Sequence, residues 1–314
     1  MKIFIKSKNN NYLATICIGL ETFRNWKKYS FPSWKLYCKT NDIGLIIFDK
    51  NLISEDHPNY KKPTWQKLLI GNKLKENFKT VKNICYLDSD IIINPFSPNI
   101  FNFYKKKNCF GVISLRNKLP YKYFEVLKKI AYNRNKHYSK KYPLNSSLFL
   151  SLKDLYKNNN LQVQKDEFCG GVFLFNVRNH SAMMFKWFHL YDKRVKSITN
   201  GGDQTHLNFH IQNSKKVLWL DYKFQSIWIY EMAHNYPFLY KKNVKVSNIV
   251  ECVYASLAKC FFLHFAGSWP ESQMWKTYSF FKKKKDIKMF SKMMKYFNLK
   301  KIKPEIKGPI YFTK

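Results

Sequence analysis

The sequence predicts an α/β protein of the doubly wound type. Short apolar runs alternate with longer segments whose aromatic residues recur at near-helical spacing, and the N-terminal order is strand, helix, strand. The chain has 314 residues, 45% of them hydrophobic and 18% aromatic, enough to bury a sizeable core and to exclude intrinsic disorder for most of its length.

Leu13 to Gly19 (LATICIG) reads as a buried strand. Glu21 to Thr40 carries Phe23, Trp26, Tyr29, Trp34 and Tyr37, which predicts helix on both sides of a break at Pro32. Gly44 to Phe48 (GLIIF) is the second strand. Pro63 to Asn77 has proline in its first turn and Trp65, Leu68, Leu69 and Leu74 near helical spacing, so it reads as a helix. Val81 to Asp88 (VKNICYLD) is the next strand, followed by Ser89, Asp90, the apolar Ile91 to Ile93 and a turn at Asn94-Pro95 and Ser97-Pro98. Cys109 to Leu115 is a further strand.

From Asn117 to Gln164 the pattern weakens, with helical fragments near Tyr123 to Tyr132 and Leu150 to Tyr156; this reads as an inserted, partly mobile region. Phe168 to Val177 is a glycine-led strand, Ser181 to Ile198 and Asp203 to Ile211 are helices, and Val217 to Leu220 and Cys260 to Phe265 are the last strands. Residues 1–279 thus form the main domain and 280–314 a basic tail. There Lys282 to Lys285 precede Ile287, Met289, Phe290, Met293, Met294 and Phe297, a pattern that fits either a helix on an anionic membrane surface or one packing a face on the domain.

Fifty-six Lys+Arg face 20 Asp+Glu, a formal net charge of +36. Only Arg24, Arg116, Arg134, Arg178 and Arg194 are arginine, and the abundance of Lys, Asn, Ile, Phe and Tyr has the stamp of AT-rich codons. No dedicated nucleic-acid binding is therefore expected, while an anionic nucleotide, membrane surface or glycan would be attracted. Seven cysteines without a CxxC pair argue against a disulfide framework or a zinc site. Neither a signal peptide nor a run of about 18 apolar residues is seen, so a cytoplasmic protein is expected.

Asp88 and Asp90 end a buried strand, one residue apart, and can offer oxygen ligands to a hard divalent cation at the carboxyl edge of the sheet. His264, in FLHFAGSW, ends another strand before Gly267 and can add a neutral imidazole, leaving coordination positions for phosphate oxygens and water. A strand-end histidine is often structural, and it is the pairing with the two carboxylates that favours a ligand. Asp203 and Gln204 follow Gly201-Gly202, where Asp203 can cap the next helix or the pair can bind sugar hydroxyls. Gly170 and Gly171 would let a ligand approach the backbone or would mark a β-bulge. Glu167 is either a base or simply exposed.

Four blocks, YLDSDI (Tyr86 to Ile91), CGGVFLFN (Cys169 to Asn176), GGDQ (Gly201 to Gln204) and HFAG (His264 to Gly267), occur in an order and spacing that resemble the nucleotide-sugar-dependent glycosyltransferases of GT-A fold, families 8 and 34 above all. The resemblance covers roughly Leu13 to Trp269. It implies a Rossmann-like, mixed and mainly parallel central sheet, and a transferase moving a hexose or pentose from a UDP-sugar to a glycan or lipid-linked glycan. Asp88, Asp90 and His264 would hold Mn2+ or Mg2+. Ser89, Lys67, Gly170, Gly171 and Gly267 would lie along the donor, with uracil and ribose around Thr15, Ile18 and Gly19. Asp203, Gln204 and Glu167 would stand at the reacting face. Retention of anomeric configuration is implied, and an inverting reaction would need Glu167 or Asp203 as base.

The chain departs from the family 8 pattern where Cys169 replaces an asparagine. It also lacks the KPW element after HF-x-G, having Ser268, Trp269 and Pro270, with Lys276 as a more distant phosphate contact. Two other classes compete: an inactive basic protein attached to anionic membrane or nucleic acid, and a nucleotidyltransferase. The latter usually wants a glycine-rich basic loop after the first strand, which Gly19-Leu20-Glu21-Thr22 is not.

Overall fold

A computed structural model describes residues 1–78, 80–138, 147–192, 195 and 202–298, with the backbone alone for 296–298. The first seven strands in chain order are β1 (Lys2–Ile5), β2 (Asn11–Ile16), β3 (Gly44–Phe48), β4 (Asn83–Leu87), β5 (Ile91–Ile93), β6 (Phe110–Ser114) and β7 (Phe168–Asn176). They are followed by β8 (Val217–Leu220), β9 (Ser226–Ile227) and β10 (Phe262–His264). Seven of them form a sheet of order β1-β3-β2-β4-β7-β6-β8. The pairings β2/β3, β2/β4 and β6/β8 are parallel, and β1/β3, β4/β7 and β6/β7 antiparallel. Strands β2, β3, β4, β6 and β8 therefore point one way and only β1 and β7 oppose them, the mixed, mainly parallel sheet that was expected.

The strands read as continuous apolar runs because both faces are covered. Alternate residues enter different cores: Tyr12, Ala14, Ile46, Ile84, Tyr86, Phe173 and Phe175 on one face, and Leu13, Leu45, Cys85, Leu87, Val172 and Leu174 on the other. A third core lies around α5 (Tyr123–His137), α9 (Trp228–Asn235) and α10 (Val246–Lys259). The remaining helices are α1 (Leu20–Asn25), α2 (Phe31–Asn41), α3 (Pro63–Gln66), α4 (Ile70–Asn77), α6 (Leu152–Lys157), α7 (Val177–His189), α8 (Gln204–Asn213) and α11 (Lys284–Asn298).

A second sheet, β5-β10-β9, assembles the site. β4 ends at Leu87, and the Asp88-Ser89-Asp90 turn carries the chain from the large sheet into β5. There Ile91 registers with His264 of β10, and Phe265 N–H donates to Asp90 O at 3.2 Å. The turn is pinned from α2 and the residue before it: Ser30 Oγ donates to Ser89 O (2.6 Å), Trp34 Nε1 to Ile91 O (2.8 Å), and Ser33 Oγ accepts from Ile93 N (3.1 Å).

Several expectations are corrected here. Pro32 does not break the helix; it occupies the first turn of α2, where no N–H is needed. The distortion is a π-helical turn at Trp26–Ser30, which brings Ser30 to the carboxylate turn. The region 117–164 contains the 15-residue helix α5, whose Val126, Leu127 and Ile130 are buried in the third core. Residues 139–146 of that insertion lie outside the described residues, as do Gly201, Ile198 and the side chain of Phe297. The helix expected at Ser181 to Ile198 starts earlier, at Val177, and the described part of it ends at His189. In the tail, Phe280, Phe281 and Phe290 are buried, and Ile287, Met293 and Met294 pack on the same core, so this part of the apolar face of α11 packs on the domain; Met289 is half exposed. No helix of the described residues is long and apolar enough to cross a membrane.

Candidate metal and saccharide site

Asp88, Asp90 and His264 each present a ligand atom, and these atoms lie within 4.8 Å of one another. His264 Nε2 is 3.2 Å from Asp90 Oδ1 and 3.7 Å from Asp88 Oδ2. Asp88 is held from two sides: its N–H donates to Gly171 O at 2.8 Å, and its Oδ1 accepts from Tyr86 Oη at 2.8 Å. Burial, reinforced by Asp88 itself, pushes the Tyr86 hydroxyl well above its ordinary range, so it remains a donor.

The other ring nitrogen of His264 is committed to Gln225. With that amide turned to suit its neighbours, Oε1 accepts from His264 Nδ1 (3.1 Å) and from Val172 N (3.0 Å), while Nε2 donates to Cys169 O (3.2 Å). Cys169 Sγ lies 3.6 Å from the same Nδ1. Nε2 is thereby aimed at the carboxylates, the arrangement by which an outer group fixes a metal-binding histidine. Burial opposes a charge on His264, but the neighbouring Cys169 Sγ and the Asp90 carboxylate outweigh it and push the ring well above the usual histidine range.

Two observations fit a cation here. Asp90 Oδ1 is buried and meets no donor in hydrogen-bond geometry, only the His264 Nε2 ion-pair contact at 3.2 Å. Gly171 forms a cradle that a side chain would fill, since a Cβ there would stand 2.2 Å from His264 Cε1 and 2.8 Å from Asp88 Oδ2. Two carboxylates and an imidazole are donors suited to manganese, and magnesium would accept the oxygens. The β-bulge reading of the glycines is also correct: the β6/β7 register slips between Val112/Phe173 and Ser114/Phe168, and the slipped segment bears Gly170 and Gly171.

Lys67 and Asp203 form a buried ion pair beside this centre. Lys67 Nζ lies 3.1 Å from Asp203 Oδ2, donates to Gly170 O at 2.9 Å and sits 4.9 Å from the Tyr86 ring centroid. Burial works against the ammonium, and the carboxylates of Asp203 and Asp88 outweigh it, so Lys67 stays charged. Asp203 stands at the N-cap of α8 yet makes no side-chain cap hydrogen bond, so capping is not its role. Its carboxylate reaches Lys67 instead.

Glu167, far from exposed, is buried between Arg116 and Gln204. Arg116 Nε and Nη2 reach Glu167 Oε2 at 2.8 and 2.6 Å, and Gln204 Nε2 donates to Oε1 at 2.6 Å. Glu167 and Gln204 line a pocket of about 190 Å3 with Cys169, Tyr230, Ala266 and Gly267. Gly267 has φ +100°, a left-handed conformation that favours glycine.

The remaining candidates are more distant. Thr15 is fully buried within β2, a strut beneath the sheet edge; Ile18 is half-buried and Gly19, with φ +90°, is exposed. Between them Cys17 is pushed up to about 12, by burial first and then by Asp88, Asp49 and Asp90, which ties this edge to the carboxylates. Ser89 is half-buried and gives its carbonyl to Ser30. Lys276 lies 5.6 Å from the Trp275 ring centroid and forms no ion pair among the described residues.

Sequence reasoning missed Arg116, Gln225 and Tyr86. A signal existed for the first, because an arginine in a chain that otherwise uses lysine marks a place where a planar, bidentate group is needed. Gln225 carried none, as the parallel β9/β10 pairing alone brings it to His264.

No family model matches the chain, nor does any curated protein. Among solved structures it is similar to a glycosyltransferase involved in glycosylation of the major capsid of PBCV-1, with TM-score 0.49 and 10% identity over 85% of this chain and all of that one. It is also similar to the galactosyltransferase LgtC in complex with donor and acceptor sugar analogs, with TM-score 0.48 and 12% identity over 90% of this chain and 95% of that one. The glycosyltransferase GlyE of Streptococcus pneumoniae TIGR4 matches with TM-score 0.46 and 14% identity over 90% of this chain and 65% of that one.

Proposed function

We propose that the protein is a metal-dependent glycosyltransferase that moves a hexose or pentose from a UDP-sugar to a hydroxyl of a glycan or lipid-linked glycan. The observation that carries this reading is the Asp88, Asp90 and His264 group, with Nε2 turned toward the carboxylates by Gln225 and a glycine wherever a side chain would intrude. Asp88, Asp90 and His264 would hold Mn2+ or Mg2+, which when bound supplies Lewis-acid neutralisation of a diphosphate leaving group. Because Nδ1–H is committed to Gln225, the proton that a cation would displace is the one on Nε2.

The chain's own groups then set the stereochemistry. Asp203 is paired with Lys67, and Glu167 is held by Arg116 and Gln204, so both candidate bases already have partners. That supports retention, in which the acceptor attacks from the leaving-group side and its proton passes to a phosphate oxygen. Arg116 holds Glu167 through Oε2 and leaves Oε1 to Gln204, which orients the amide along the 190 Å3 pocket for sugar hydroxyls. Lys67, through Gly170 O, holds the backbone on which a sugar would rest. The reading includes a cytoplasmic location, supported by seven cysteines that are all unpaired.

Manganese-dependent release of UDP from a panel of UDP-sugars, with GDP-sugars as control, tests the assignment. Asp90→Asn should abolish turnover with the fold intact; full activity in that variant would remove the metal from the reaction.

A further inference from the structure

A cavity of about 610 Å3 lies away from the metal centre, between the loop after β6, the loop after β8, and helices α9 and α10. It is walled off from the 190 Å3 pocket by aromatic residues. Tyr121 and Tyr222 face this cavity, while Tyr230, 6.4 Å from Tyr121 between ring centroids, faces the other. Along β9 the alternation continues, with Ser226 lining the large cavity and Ile227 the small one.

The chemistry of its walls is specific. Glu231 is buried, and no ion pair holds it among the described residues; Oε2 accepts from Asn235 Nδ2 at 3.0 Å, while Oε1 has only long contacts from the hydroxyls of Tyr121 (3.4 Å) and Tyr222 (3.5 Å). Those hydroxyls are bonded to each other at 2.6 Å. His234 stacks on Tyr121 with centroids 5.0 Å apart and planes 28° apart, and the His234 side is exposed. At the mouth Lys118, Lys223 and Lys259 are exposed, and none forms an ion pair among the described residues; Asp221, beside them, is turned to Lys223 N.

A carboxylate with spare acceptor capacity and two phenols at the floor suit vicinal hydroxyls, a ring platform suits the face of a sugar, and three ammoniums outside any ion pair among the described residues suit a negative substituent at the rim, Lys118 and Lys223 lying over the Trp219 and Phe261 rings at 5.8 Å each. The volume is that of ordinary small-molecule sites. We propose that this cavity is a second saccharide site, independent of the metal centre, for a sugar bearing a carboxylate or a phosphate. Its hydroxyls meet Glu231, Tyr121 and Tyr222, and its anionic group meets Lys223 and Lys259.

Saturation-transfer NMR on the full chain, with glucuronic acid, glucose 6-phosphate, glucose and inorganic phosphate as probes, tests this. One or both anionic sugars should bind at least about tenfold more tightly than glucose or phosphate, and which of them binds identifies the substituent. Lys223→Ala/Lys259→Ala, at exposed positions, should weaken that binding about tenfold, as should Glu231→Gln if it folds, and Asp90→Asn should leave it unchanged. The proposal is overturned if neither anionic sugar binds, if inorganic phosphate binds as well as they do, if the lysine pair is indifferent, or if Asp90→Asn abolishes binding.

Discussion

Replacing Gly171 by alanine adds a single methyl group where the backbone runs closest to the carboxylate and histidine group. The added carbon would stand 2.2 Å from His264 Cε1 and 2.8 Å from Asp88 Oδ2, against an ordinary carbon contact of about 3.5–4.0 Å. The nearer neighbour, His264, has no room to yield, and Asp88, though partly exposed, is held by two hydrogen bonds. His264 is 2% exposed at the end of β10 and fixed by Gln225, and Asp88 is bonded to Tyr86 and, through its own N–H, to Gly171 O. Relief requires the imidazole or the β7 backbone to move, a cost of about 1–3 kcal/mol for an overfilled interior site. The displaced imidazole would no longer converge with the carboxylates, and a loss of manganese affinity of roughly 10–100-fold follows. Gly111→Ala is the control: its Cβ would meet Leu174 and Leu220 at 3.2 to 3.4 Å, remote from the cluster, so it should cost stability without changing manganese affinity. Free Mn2+ titrated by electron paramagnetic resonance, beside urea unfolding of both variants, separates the two effects. Wild-type manganese affinity in Gly171→Ala would refute the cradle argument.

Other perturbations have equally direct outcomes. Lys67→Met leaves Asp203 buried without its cation and should cost about 3–5 kcal/mol in urea unfolding, most of it recovered in Lys67→Met/Asp203→Leu; an undisturbed single variant would deny the buried pair. His206 and His210 are each lowered to about 4 by burial, from 6.5. The unfolded chain therefore takes up protons below about pH 6.5 that the folded chain refuses, and stability present at neutral pH should fall progressively toward pH 4. His206→Phe should flatten that slope in urea midpoints measured across the interval, and an unchanged slope would exclude His206 as a source. Phe290→Ala empties a fully buried site shared with Tyr254 and Phe281, so thermal or urea unfolding should show a loss of about 3–5 kcal/mol, with cosedimentation on anionic vesicles unchanged. The reverse result would put the tail on a membrane.

Much of this was legible in the residues because the sheet strands are buried on both faces. LATICIG, GLIIF, VKNICYLD and FCGGVFLFNV announce themselves as apolar runs whatever their neighbours; β3, β4 and β7 fall within theirs, while β2 starts two residues before LATICIG and ends at Ile16. β1 and β9 were not legible: Lys2–Ile5 (KIFI) is a four-residue edge strand set among lysines and asparagines, and Ser226–Ile227 is two residues that exist as a strand only because β10 pairs with them. Asp88, Asp90 and His264 could be grouped from strand-end position, but the agent that joins them, the β5/β10 pairing, is a long-range contact that no local pattern encodes. Asp203 shows the limit of local rules most clearly. Its position invites capping, and the buried charge of Lys67 draws the carboxylate away. In the tail, the same spacing of Met and Phe served two readings, and only packing against Tyr254, Phe281 and Phe96 distinguishes them.

The account rests on a cation and a uridine diphosphate meeting at Asp88, Asp90 and His264. Calorimetric titration of the purified protein with UDP, with and without Mn2+ and with GDP as control, tests this most directly. The account predicts UDP binding that depends on manganese and disappears in Asp90→Asn, with GDP weak or silent. UDP binding of equal strength without metal, or no binding of either nucleotide, would contradict it.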